Sequence, residues 1–82
     1  MGTTRHVVQS FPELSQALRL GCLMDEEFSS LCKDYDDAVE ALRYWRASRD
    51  RNAPKLVEEY IVVIRELEAE IREAAARWQP AP

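Results

Sequence analysis

Residues 28–45, FSSLCKDYDDAVEALRYW, and residues 57–78, VEEYIVVIRELEAEIREAAARW, decide the fold. In the first stretch the apolar side chains recur as Phe28, Leu31, Tyr35, Ala38, Leu42 and Trp45. In the second they recur as Val57, Tyr60, Ile64, Leu67, Ile71, Ala74 and Trp78. Steps that alternate three and four residues line each set along one side of an α-helix, as a coiled-coil-like seam requires. Asp25 is a good N-cap for the first of these helices, and Glu26 and Glu27 put negative charge in its first turn, where the helix dipole favours it. Ser48 to Asn52 break the apolar rhythm, and Pro54 suits the first position of a second long helix. The β-branched run Ile61, Val62, Val63 and Ile64 dissents locally, but its neighbours are strong helix formers. The pattern predicts helices over 26–48 and 54–78, with Gln79, Pro80, Ala81 and Pro82 as a tail, 79–82.

A connection of about five residues between two long helices makes them antiparallel neighbours. With the bend centred near Arg51, partners carry numbers summing to about 102, which opposes Leu42 to Tyr60, Ala38 to Ile64, Tyr35 to Leu67 and Leu31 to Ile71. The same register brings Arg43 near Glu59 and Asp37 near Arg65. Apolar positions meet apolar ones, and opposite charges meet on the flanks.

Upstream of Asp25 the signals are weaker. Residues 1–9 show no periodicity and read as a flexible arm, from which Val7 or Val8 can tuck against a helix. Ser10 and Glu13 match a capping box, Pro12 falls in a first turn, and Gly21 suits a left-handed stop, so a short helix is expected over 11–20. Leu14, Ala17 and Leu18 give it one apolar side. The expected architecture is one all-α domain spanning 1–82: a long antiparallel helical hairpin preceded by a short helix.

A bare hairpin buries one stripe per helix, which scarcely offsets the entropy of ordering it. Ile61 and Val62 lie off the seam, Val62 nearly opposite it, so a second contact is implied. Either the short helix with Val7 or Val8 covers them within one chain, or two hairpins associate as a symmetric dimer and complete a four-helix bundle.

Composition narrows the function classes. An 82-residue chain that is 46% hydrophobic and 32% charged is foldable but too short for a large active-site cleft. A net charge of −4 gives no general attraction to nucleic acid or anionic lipid. Cys22 and Cys32 lack zinc-site spacing and are expected to be reduced, Cys32 as a small core residue. Met1 to Gln9 hold no long apolar run, so neither a signal peptide nor a membrane span is expected, and the compartment is read as cytoplasmic. Asp34, Asp36, Asp37 and Glu40 supply carboxylates, but on a solvated face rather than in the enclosed site an acid or base needs. Neither long helix contains a histidine for a bundle metal site, and Ser29 and Ser30 have none to activate them. No catalysis, cofactor, metal or small-molecule ligand is expected.

Two candidate surfaces remain. Tyr44, Ile61 and Val62 offer an apolar face to a second copy or to a partner's amphipathic helix. Alternatively, Arg43, Arg46, Arg49, Arg51 and Lys55, with Tyr44 and Trp45 between them, form a basic bend of the kind that grips a nucleic-acid backbone. Charge pairing of the arginines with Glu58 and Glu59 is the plainer account of that bend.

Residues 25–72 resemble the small bacterial YdcH-like helical-hairpin proteins, whose function is not assigned. The likeness rests on the opening Asp25-Glu-Glu-Phe28-Ser-Ser-Leu31-Cys-Lys-Asp-Tyr35 and on the acidic close Glu66-Leu67-Glu68-Ala69-Glu70-Ile71. The longer polar bend with Pro54 and the extra leading helix depart from that pattern. The resemblance implies a short antiparallel hairpin with no known catalysis and no assigned ligand.

Overall fold

A computed structural model describes residues 5–78. Its elements are α1 (Arg5–Ser10), a 3-10 turn (Pro12–Leu14), α2 (Ser15–Met24), α3 (Glu26–Ala47), α4 (Ala53–Ala75) and a closing 3-10 turn (Ala76–Trp78). The architecture is all-α, and α3 and α4 form the long helical pair. The tail 79–82 and residues 1–4 lie outside the described residues.

Asp25 is the pivot at which α2 becomes α3. Its extended backbone ends α2, and its carboxylate caps α3 by accepting from the N–H groups of Glu27 at 3.0 Å and Phe28 at 3.3 Å. At the other end, Ser48 is extended and closes α3. The Ser48 hydroxyl then accepts from the Asp50 N–H at 3.0 Å, and the Asp50 carboxylate from the Asn52 N–H at 2.8 Å, which shapes the polar bend. Ile61 to Ile64 are helical, in agreement with their context.

The expected register between the long helices holds. The Tyr35 hydroxyl meets the Glu68 carboxylate at 3.2 Å, Phe28 and Ala74 line one cleft, and Trp45 and Val57 line another. The flanking ion pairs differ. Arg43 sits 3.9 Å from Glu40 of its own helix, and among the described residues no ion pair joins Arg43 to Glu59 or Asp37 to Arg65. At exposed positions each such pair is worth only ~0–1 kcal/mol, so apolar contact sets the register without them.

Four expectations need correction. The arm over 1–9 is not an arm from residue 5 onward: Arg5–Ser10 are helical, and His6 and Val7 are buried. Six residues cannot hold a helix alone. The cap comes from α3, where the Asp36 carboxylate accepts from the backbone N–H groups of His6 at 3.0 Å and Val7 at 3.3 Å. The short helix expected over 11–20 is instead a 3-10 turn followed by α2, which runs on to Met24. Ser10 and Glu13 form no capping box there: Ser10 bonds Tyr35 and Glu13 pairs with Arg72. Gly21 is not a left-handed stop but an interior residue of α2, needed for close approach. A Cβ there would lie 2.5 Å from Phe28 Cε2 and 2.8 Å from Trp78 Cδ1.

The core gathers at one end of the hairpin. Val7, Phe11, Leu18, Phe28, Cys32, Tyr35, Ile71 and Ala75 bury together where α1 and α2 pack against the start of α3 and the end of α4. Arg72 ties the Pro12–Leu14 turn to α4, its guanidinium 4.6 Å above the Phe11 ring and 3.5 Å from Glu13.

Candidate association surface

The molecule is 48 Å long and only 24 by 20 Å across, with its packed end and its bend at opposite extremes. From Val39 to Glu70, Ala53 is the one buried residue. The seam residues Leu42, Trp45, Val57, Tyr60, Ile64 and Leu67 are half-buried over this distal length, because two helices alone cannot enclose them. The short leading segment does not complete the enclosure: Val62 stays 54% exposed.

Heptad spacing assigns sides within this region. Cys32, Val39 and Arg46 recur at seven on α3; Cys32 is fully buried in the core and Val39 packs against it, so this side bears α1 and α2. Ile61, Glu68 and Ala75 recur at seven on α4, and Ala75 is fully buried in the same core. Ile61 therefore lies on the α1–α2 side, half-exposed beyond the edge of that layer. Val62 shares a spacing of seven with Ala69 and Ala76, all exposed, on the outer side. Tyr44 is also on the outside, 65% exposed, with its ring edge-on to Trp45 at 5.0 Å. The three candidate residues thus share the distal half but not one patch.

Arg43, Arg46, Arg49, Arg51 and Lys55 are all exposed around the bend. An open cleft of about 500 Å³ there is lined by Trp45, Ala53, Pro54 and Val57 together with Arg46, Arg49, Asp50 and Glu58.

A second apolar stripe escaped the sequence reading. Leu20, Leu23 and Met24, spaced three and four apart on α2, are 44%, 82% and 67% exposed. The signal was in the sequence, but a helix ended at Gly21 could not carry it.

The titratable groups in the packed end serve structure. The Tyr35 hydroxyl donates to Glu68 and accepts from Ser10 Oγ at 2.9 Å, since a carboxylate can only accept and one proton cannot serve both. Burial pushes the Tyr35 phenol above its ordinary value, and the Glu68 charge adds to that against the Ser10 bond. His6 Nε2 lies 2.7 Å from Glu40 Oε1. The Cys22 and Cys32 thiols are free. Burial raises both, Cys32 to about 12, so little reactive thiolate forms near neutrality. Among the described residues no helix is long and apolar enough to cross a membrane.

No family model, curated protein or solved structure matches the chain.

Proposed function

We propose that this chain is a non-enzymatic association module of the cytoplasm whose distal hairpin half is completed by other helices, in the first place those of a second copy. One observation carries the reading: the apolar seam continues for about half the molecule beyond the region where a third helix covers it. Half-exposed seam residues are what a four-helix arrangement encloses and a two-helix hairpin cannot. The test is sedimentation over a range of concentrations. The wild type is expected to form dimers, and Ile61→Glu combined with Val62→Glu to shift it to monomers with helicity retained. A wild type that stays monomeric throughout overturns self-association.

A second reading, a nucleic-acid accessory role, is supported by the five exposed basic side chains around the bend. Retention on nucleic acid at low salt, lost in Arg49→Ala with Arg51→Ala, would favour it, and absence of binding at low salt would dismiss it.

A further inference from the structure

On the side of the hairpin away from α1 and α2 runs a second groove, one that no described element covers. At the packed end it opens as a cleft of about 460 Å³, where Leu31 and Ala74 meet Glu27, Glu70, Glu73 and Arg77. Heptad spacing carries that side along the molecule. On α3, Leu31 recurs as Ala38 and Trp45, and Glu27 recurs as Asp34 and Ala41. On α4, Glu70 recurs as Val63 and Leu56, and Glu73 recurs as Glu66 and Glu59. Leu31, Trp45 and Leu56 are half-buried and Val63 is 40% exposed, so an apolar floor continues from the cleft toward the bend.

The walls of this groove are acidic. Glu27 and Asp34 stand on the α3 edge and Glu59, Glu66, Glu70 and Glu73 on the α4 edge, all exposed. In these series the one base is Arg77, at the packed end. By the same spacing Arg46 shares a side with the buried Cys32, and Arg65 with Arg72, which pairs with Glu13 on the α1–α2 side. The ion pairs among the described residues involve none of the six acids. Glu66 and Glu70 are four apart and Glu70 and Glu73 three apart, spacings at which like charges repel.

Floor and walls together select the occupant. Two copies joined groove to groove would set six carboxylates against six, so a second copy is disfavoured on this side. Nucleic acid and anionic lipid are repelled for the same reason. A cation without apolar groups would leave the floor in water, and an apolar helix without cations would enclose the repulsion of the walls. A helix that carries both satisfies both. The opposite side of the same helical pair already accepts helices, α1 and α2.

We propose that this groove receives an amphipathic helix of a partner protein, its apolar stripe on Leu31, Ala74 and Val63 and its Lys or Arg side chains on both flanks, against the acidic edges. Glu59 to Glu73 extend about 21 Å along α4, which a helix of about 15 residues matches. The groove lies away from the Ile61 side, so this reading does not rest on self-association.

The experiment follows the fluorescence anisotropy of a labelled synthetic helix of about 18 residues, with leucine along one face and lysine on both flanks, titrated with the whole chain. One peptide is expected to bind per chain, more weakly as salt is raised. The same residues in scrambled order should bind about tenfold more weakly, because leucines and lysines no longer hold separate faces. Glu66→Lys with Glu70→Lys should cost about tenfold, and Val63→Asn about threefold. Asp37→Lys with Glu58→Lys makes the same change of charge on other sides and should cost less than about twofold. These acids are exposed, and circular dichroism of each variant checks that its helices persist. Equal binding of the scrambled peptide, or equal losses in the two charge-reversed pairs, would reduce the effect to overall charge and overturn the proposal. So would wild-type affinity in Glu66→Lys with Glu70→Lys. A change in how that variant sediments by itself would give the groove to a second copy, and overturn it too.

Discussion

The carboxylate of Asp36, in the middle of α3, accepts a hydrogen bond at 3.0 Å from the backbone N–H of His6, thirty residues earlier in the chain. The same oxygen takes the Val7 N–H at 3.3 Å, so a helix of six residues receives its N-terminal cap from another helix. Phe11 follows it into the core, and Tyr35 holds its last residue, Ser10. The leading segment is therefore docked by polar contacts as much as by apolar ones.

Asp36→Ala should release α1. Two buried N–H groups lose their acceptor, at a cost of about 1–3 kcal/mol, and His6 and Val7 lose their anchor. Hydrogen exchange is expected to quicken at residues 6–11 far more than at 31–35. Equal protection of both segments in the variant would show that α1 is held without the cap.

Gly21→Ala should destabilise the fold although alanine is the better helix former. The propensity gain is about 1 kcal/mol, whereas the new methyl group collides with the Phe28 and Trp78 rings, and overpacking of a core costs about 1–3 kcal/mol. A lower thermal midpoint is expected, and partial recovery when Phe28→Leu is added. A raised midpoint for Gly21→Ala alone would mean the rings move aside freely.

Stability should fall as the pH rises above 9. The Cys32 thiol has an ordinary value of 9.0 and is held at about 12 by burial in the folded chain, so above pH 9 the unfolded state loses its proton while the folded state keeps it. Unfolding is then favoured by up to about 1.4 kcal/mol per pH unit for this group until pH 12. Tyr35, also raised, adds to the loss above its ordinary value of 10.0. Urea midpoints measured from pH 8 to 11 should decline, and less steeply in Cys32→Ala; identical slopes would remove the thiol from the account.

Leu18→Ala and Leu23→Ala should separate widely despite lying five residues apart on one helix. Leu18 is fully buried and its truncation is expected to cost about 2–5 kcal/mol. Leu23 is 82% exposed, and its change should fall within about 0.5 kcal/mol. Chemical denaturation of the two variants side by side reads the difference directly, and comparable losses would place Leu23 in a contact of its own.

The two long helices, their direction and their register were legible because each depends on neighbours in sequence. Apolar steps of three and four define a seam, Asp25 caps the helix that follows it, and a short polar bend leaves antiparallel pairing as the way to close that seam. The distal surface was half legible: Ile61 and Val62 stood out as apolar residues off the seam, but which of them borders the core follows only from where Ala75 is buried. The leading segment was legible only in part: a short helix burying Leu14, Ala17 and Leu18 could be read, but not what holds it. The cap of α1 is Asp36, the partner of Glu13 is Arg72, and the reason for Gly21 is the ring of Phe28. Each is a contact across tens of residues or between two elements, which no local pattern records. Sequence alone determined what repeats along a helix; the tertiary structure decided where the third layer stops, because that depends on which distant side chains satisfy a six-residue helix and how closely two backbones can approach.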